Sequence, residues 1–490
     1  MHQAAYMLAA FALGSQLLAL VRDRLFATTF GPSHTLDLYY AAFRIPDFLF
    51  ATVASLLSLY ALLPVLTRFG AEHEEGMVSF LRQTLLMFFV VMGVISAVVY
   101  VAAPWLLPRV LPGIADPQLL PLMRILLLQP ILLGASNIVA ALTQLRSRFF
   151  LYSISPLLYN LGIIGGVIFL YPLFGVVGLV WGVVVGAALH LLMQIPFFFA
   201  EKKGPPIPWR TLWREWYLVL QLSIPRTFAL AAGQISLFIL IALASFFSAG
   251  SISVFMFAYN LQAVPLTIIG VSYSVAAFPT LARWHAAGKQ GEFVRYVETA
   301  LRHIFFWSIP ATIFVIVLRA QLVRVILGAG VFGWEATRLT AAALALFVLS
   351  LAAQSVTLLI ARAYYAAGNT RKPLYYGAID VFISVSSAVL LLTFFRSSEV
   401  ARLFIESMLR VVDVPGTMVL MLALGYALGS IAEFVVAYWF FVRDFKLPRG
   451  RLNALLFQSF SASVIGGAAA YEMLAFTGAV ETINTTLGLV

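Results

Sequence analysis

The segment Phe80–Ala103, FLRQTLLMFFVVMGVISAVVYVAA, carries no charged side chain after Arg82. About 20 apolar residues in a helix cover a hydrocarbon core of about 30 Å. The segment therefore predicts a membrane crossing. On either side the same ruler predicts spans near 4–28, 37–65, 119–143, 151–170, 174–199 and 216–247. The series continues near 252–281, 300–318, 340–366, 373–395, 413–441 and 454–475, giving about thirteen in all. Composition agrees: 62% of the 490 residues are hydrophobic and 10% are charged, with a mean hydropathy of +0.97. A soluble domain is about 25% charged, so this chain lacks the charge to cover itself in water. The class expected is an all-α polytopic membrane protein.

Several function classes fall away on composition. Without cysteine there is no disulfide framework, thiolate nucleophile or Cys-ligated zinc site. The six histidines are scattered, so no metal site is expected, and no nucleophile–base pair or phosphate-binding glycine loop points to an enzyme. Residues 1–20 lack the basic n-region and cleavage site of a signal peptide, so the first apolar stretch reads as a retained helix. Gly162-x-x-Gly165-Gly166 lies in an apolar stretch, where small residues let helices approach closely.

The basic residues set an expected orientation. With the N-terminus in the cytoplasm, nineteen of the 31 fall in inside loops, among them Lys202, Lys203, Arg210, Arg214, Arg443 and Lys446. Eight fall outside: Arg109, Arg124, Arg319, Arg324, Arg338, Arg396, Arg402 and Arg410. The remaining four, Arg22, Arg24, Arg44 and Arg226, lie in or beside helices. The net charge of +11 reads as topology and contact with anionic membrane lipids, not as nucleic-acid binding.

The second half of the chain echoes the first. Ala42-Phe43-Arg44-Ile45 matches Ala258-Tyr259-Asn260-Leu261, Pro64–Phe69 matches Pro279–Trp284, and Gly76 matches Gly291, all at spacings of 215 or 216. Such repeats predict two pseudo-symmetric six-helix bundles around a central cavity, with C-terminal helices added. The expected divisions are a first bundle over 1–200, a cytoplasmic linker over 201–215, a second bundle over 216–443, and an extra helix with a short tail over 444–490. A fourteenth span is expected from an even-numbered plan, and the sequence stops before it.

Charges inside spans mark candidate sites, because they are costly there. Arg22, Asp23, Arg24, Asp37, Arg44 and Asp47 gather on the first two helices. Arginine's planar fork suits phosphate oxygens, so these residues suggest a cavity for an anionic head group. Arg226 is a further candidate from the second bundle. Asp380 stands about 10 Å into the eleventh helix at 1.5 Å per residue. With Gln234, Ser236 and Ser384 it is a candidate Na⁺ or proton site for coupling. Glu433 reads as structural, near its helix end.

Two motifs resemble those of the MurJ (MviN-type) lipid II flippases of the MOP exporter superfamily. One is Arg22–Gly31, RDRLFATTFG, with Asp37–Asp47, DLYYAAFRIPD; the other is Arg362–Pro373, RAYYAAGNTRKP. The resemblance implies a V-shaped cavity with alternating access. It implies transport of an undecaprenyl-pyrophosphate-linked peptidoglycan precursor from the inner to the outer leaflet of the bacterial cytoplasmic membrane. No covalent chemistry or cofactor is implied; membrane potential or a Na⁺ or H⁺ gradient resets the carrier, and cell-wall synthases are candidate partners. Arg22 would contact phosphate, with Asp37 and Arg44 shaping the gate. Gln16, Phe50 and Asn260 stand where the family typically has arginine, so three cationic contacts are missing. Other readings are an exporter of another lipid-linked oligosaccharide, a cation-coupled drug antiporter, and a transport-dead cell-wall scaffold.

Overall fold

A computed structural model describes residues 2–57, 62, 66, 74–202, 204–447 and 451–476, some of them by backbone alone. All regular elements among the described residues are helices. In order they are α1 (His2–Phe30), α2 (His34–Ala42), α3 (Arg44–Thr52), α4 (Glu74–Val110), α5 (Leu119–Leu145), α6 (Phe149–Phe174), α7 (Val176–Ala200) and α8 (Trp209–Ala244). Then come α9 (Ser251–Ala286), α10 (Gln290–Val317), α11 (Arg319–Leu327), α12 (Trp334–Val348) and α13 (Leu351–Ala366). The last are α14 (Arg371–Ser397), α15 (Glu399–Leu409), α16 (Val419–Phe445) and α17 (Arg451–Phe476).

Nine helices among the described residues are long and apolar enough to span a bilayer, or ten if α12 and α13, bent by 45°, count as one. The expected count of about thirteen is not confirmed among the described residues. The three expected spans outside this set, 4–28, 37–65 and 216–247, each include side chains beyond those described. The second of them is also broken: α2 stops at Ala42 and α3 starts at Arg44. Pro46, which has no N–H to give the carbonyl four residues back, weakens the helix there. Its repeat partner Ala258–Leu261 lies within α9, which instead loosens into a π turn at Thr267–Val271, just after Pro265. Of the other repeat segments, Pro64–Phe69 lies outside the described residues apart from Leu66.

The chain divides into two compact units. Unit 1 comprises residues 1–26 and 34–234; unit 2 comprises 27–33 and 235–490. The division falls inside α8, whose helix begins at Trp209 within the expected linker. Leu212, Trp216 and Val219 join the unit 1 core with Phe80, Leu81 and Phe198, and Trp216 Nε1 donates to Thr84 Oγ1 at 3.0 Å. In unit 2, Phe293, Val297, Leu301 and Ile304 of α10 pack with Leu359, Ile360 and Tyr364 of α13 and Phe441 of α16.

Close approach fixes the tightest pairing in unit 1. A Cβ on Gly162 of α6 would fall on the Gly186 backbone of α7, and one on Gly166 would come within 2.7 Å of the Gly182 Cα. Backbones that close gain dispersion contact where lipid supplies no hydrophobic drive between helices.

A polar tie outside the spans joins α2 to the loop before α5: His34 Nε2 and Asp116 Oδ2 are 2.8 Å apart. That bond, and the Gln118 N–H donating to Asp116 Oδ1 at 2.7 Å, hold the Asp116 carboxyl below its ordinary pKa. A lowered folded-state pKa adds stability above the unfolded value of about 4 and loses it as pH falls through the folded value. Asp116→Asn should therefore lower the thermal midpoint slightly at pH 7, reflecting a loss of no more than about 1 kcal/mol of stability for so exposed a pair. At about pH 2 the difference should vanish; an equal loss at both pH values would exclude the carboxylate charge as its source.

Candidate functional site

The motif charges of unit 1 form a network centred on Arg22. Its Nε and Nη2 donate to Asp23 Oδ1 at 3.0 and 2.8 Å, and its Nη1 donates to Asn160 Oδ1 of α6 at 3.3 Å. Asn160 is oriented in turn, its Nδ2 donating to Ser15 Oγ at 3.3 Å and to the Pro156 carbonyl at 3.2 Å. Asp23 is buried, whereas the Arg22 side chain keeps 19% of its surface open. The guanidinium is thus held along one side and accessible on the other. That arrangement suits a cation that must meet an anionic ligand without rearranging.

Arg44 is positioned differently. It is buried at the start of α3; its Nε donates to the Tyr40 carbonyl at 3.0 Å, and its Nη2 lies 3.5 Å from Asp47 Oδ2. Asp37 and Asp47 each occupy the first turn of a helix, α2 and α3, where a negative charge meets the positive end of the helix dipole. Asp37 is buried. Gln129 of α5 donates to the Tyr159 oxygen at 3.5 Å and lies near Asp47. Aromatic packing stiffens this corner: Phe26 meets Tyr39 and Tyr40 edge-on at centroid distances of 5.0 and 6.3 Å.

The network brings Arg22 and Asp23 together, and it places Arg44 with Asp47. The other expected members are placed as follows. Arg24 is exposed on α1, Gln16 is half-buried one residue after Ser15, Phe50 is half-buried on α3, and Asn260 is half-buried on α9 of unit 2. The side chain of Arg226 lies outside the described residues. Asn160, Ser15, Gln129 and Tyr159 were missed by sequence reasoning. The available signal was an amide standing alone in an apolar span, as at Asn160, or just before a helix proline, as at Gln129.

In unit 2 the carboxylate of Asp380 accepts from two serines, Ser236 Oγ to Oδ2 at 2.9 Å and Ser384 Oγ to Oδ1 at 3.2 Å. Two of its three expected companions are therefore in place. Gln234 is exposed on α8 and lies on the unit 1 side of the division. Glu433 is corrected as well: it sits in the middle of α16, not near its end, and within electrostatic reach of Asp380. Tyr426, packed edge-on against Tyr259 at a centroid distance of 5.8 Å, also lies within electrostatic reach of Asp380. The backbone of α16 presses close here, since a Cβ on Gly429 would strike Ser384 Oγ. A buried carboxylate with hydroxyl donors and a second carboxylate nearby can hold a proton or a small cation. No group of three or more His, Asp or Glu side chains with metal-ligand geometry occurs among the described residues.

The profile of the family described as "Lipid II flippase MurJ" matches residues 26–487 of this chain. The chain belongs to the MurJ lipid II flippase family. It is 27% identical over 388 residues to the lipid II flippase MurJ of Burkholderia cenocepacia, covering 76% of this chain and 74% of that protein. It is 26% identical over 392 residues to the probable lipid II flippase MurJ of Thermotoga maritima, covering 78% of each. Among solved structures, a MurJ in an inward closed conformation superposes with a TM-score of 0.73 at 19% identity, over 98% of this chain and 100% of that one. An inward-facing multidrug-resistance MATE transporter of the MOP superfamily gives 0.71 at 15% identity, over 88% and 94%. At these identities the structural likeness shows a fold shared by MurJ proteins and MATE transporters.

Proposed function

We propose that this chain is a lipid II flippase, moving the polyprenyl-pyrophosphate-linked peptidoglycan precursor from the inner to the outer leaflet of a bacterial cytoplasmic membrane. The observation that carries this reading is the family match across residues 26–487. No bond of the substrate is made or broken; the work is binding and release on alternate sides. The N-terminus is cytoplasmic in this reading, which puts nineteen basic residues in inside loops against eight outside, the bias expected of membrane proteins. Cell-wall synthases that consume the delivered precursor are the expected partners.

Arg22 supplies the phosphate contact, with Asp23 and Asn160 holding its guanidinium and Arg44 adding a second fixed cation. Gln16, Phe50 and Asn260 make this set poorer in charge than the family pattern. A charge-assisted hydrogen bond contributes about 1.5–3 kcal/mol, so binding rests more heavily on Arg22 here. Rescue of a strain depleted of its own flippase tests the reading; a well-expressed protein that gives no rescue refutes it.

Coupling is assigned to Asp380 with Ser236 and Ser384. Asp380→Asn keeps the shape and removes the charge. In proteoliposomes the variant should lose the stimulation that an imposed Na⁺ or H⁺ gradient gives the wild type, while the rate without a gradient persists. Equal stimulation of both proteins would remove Asp380 from coupling.

A further inference from the structure

A cavity of about 450 Å³ opens in unit 2 where α10 gives way to α11, lined by Arg319, Arg338, Arg410, Gln321, Trp334 and Tyr471 among others. The three arginines are not equivalent. Arg338 is fully engaged: its Nη1 and Nη2 grip the Asp413 carboxylate at 2.8 and 2.6 Å, and its Nε donates to the Arg410 carbonyl at 2.9 Å. That last bond secures Arg410 in its left-handed conformation, φ 61°. Arg410 then sends Nη2 to the Tyr471 hydroxyl at 3.0 Å, and Arg319 Nη1 donates to the Ile316 carbonyl at 2.9 Å. Among the described residues neither Arg319 nor Arg410 has a carboxylate partner. Burial, and then the Arg410 charge, lower the pKa of Arg319 from its ordinary value, as expected of two cations facing one space.

The cavity continues into an apolar groove. Val317 and Tyr471 line both it and a second hollow of about 430 Å³ between α10 and α17, walled by Ile313, Phe460, Val464 and Ala468. The groove exists because α17 packs on α10 through glycine: a Cβ on Gly467 would lie 2.6 Å from Ile313 Cγ2. Two uncompensated guanidinium groups, an aromatic rim and an adjoining apolar channel match an amphiphile with an anionic phosphate head and an acyl tail.

We propose that Arg319 and Arg410 bind the phosphate of an anionic membrane lipid whose acyl chain lies in the α10–α17 groove. The site is separate in sequence from the Arg22 network, and on the cytoplasmic N-terminus assigned above it lies at the outer leaflet. A lipid head group and free phosphate share the head-group chemistry; only the lipid also needs the groove.

The test is native mass spectrometry of the purified full chain titrated with phosphatidylglycerol or phosphatidylethanolamine, with inorganic phosphate as competitor. Wild type should retain phosphatidylglycerol about tenfold better than phosphatidylethanolamine, about the effect of one charge-assisted contact. Arg319→Gln/Arg410→Gln should lose that preference. Val464→Trp, which leaves both arginines intact and fills an exposed groove wall, should lose retention of the lipid. Unchanged retention in either variant overturns the proposal. Full displacement of the lipid by inorganic phosphate at matched phosphate concentration also overturns it, in favour of a free-anion site.

Discussion

Arg22→Ala is expected to abolish rescue of a flippase-depleted strain and to cut lipid II flipping in proteoliposomes by about 100-fold, the upper end of what losing one charge-assisted contact costs. Two effects combine in that variant, and they are separable. The first is loss of the phosphate contact. The second is structural: Asp23 is buried and receives two of the three Arg22 hydrogen bonds described above, so the alanine leaves an unpaired carboxylate inside the protein. Breaking a buried pair from one side costs about 3–5 kcal/mol, so the thermal midpoint should fall as well. Arg22→Ala/Asp23→Asn removes the stranded charge. It should recover most of the midpoint and none of the transport. Arg22→Lys keeps a cation without the planar fork that meets Asp23 and Asn160 together, and should retain about a tenth of the activity. If the double variant transports at the wild-type rate, Arg22 serves only to hold Asp23, and the phosphate assignment fails.

Gly162→Leu should prevent accumulation of folded protein. The added side chain would have to occupy the backbone of Gly186, and overpacking costs about 1–3 kcal/mol even where neighbours can shift. A helix backbone cannot shift without separating α6 from α7 along the row that Gly166 and Gly182 continue. The comparison is Gly165→Ala. Gly165 lies in the same run, yet the nearest atom to a Cβ there is Phe169 Cδ2 at 3.9 Å. Alanine is the better helix former by about 1 kcal/mol, so that variant should be neutral or slightly stabilised. Yield and thermal midpoint of the two variants in one detergent decide the matter; equal tolerance would show that α6 and α7 are not held by glycine contact.

That pair of glycines also shows where sequence reading stops. The run Gly162-x-x-Gly165-Gly166 announces close helix packing, and Gly162 and Gly166, one turn apart, share a face, but that they meet Gly182 and Gly186 of α7 is not written in either segment. The helical class and most span positions were legible, because a 30 Å hydrocarbon core demands long apolar runs. The break at Phe43 was less legible: Pro46 is visible in the sequence, yet Pro104 and Pro108 lie inside α4 without ending it. At the sites, charge was the legible part. Arg22, Arg44 and Asp380 stand out because ionisable groups are rare in spans, and Ser384 followed from one helical turn. The partners that orient them were not legible. Asn160 is 138 residues from Arg22, and nothing local in either segment signals their meeting. Glu433 was misplaced because its helix starts at Val419 and runs on to Phe445, about one turn past the expected end, which leaves Glu433 at mid-helix.

The long helix α8 carries a further consequence, for how this protein can be taken apart. The proline-rich stretch Pro205–Pro208 looks like the natural place to sever the gene into two separately produced halves. A cut there would strip Trp216 from Thr84 and remove Leu212 and Val219 from the core built on Phe80 and Phe198. An amino-terminal fragment that keeps its interior closed therefore runs past Val219, while Ser236, farther along the same helix, is needed by Asp380 in unit 2, so a cut within α8 between them is the one that leaves each unit its partners. The seam between the repeats, written in the sequence as a loop, is in the folded chain a helix whose residues are divided between the two units.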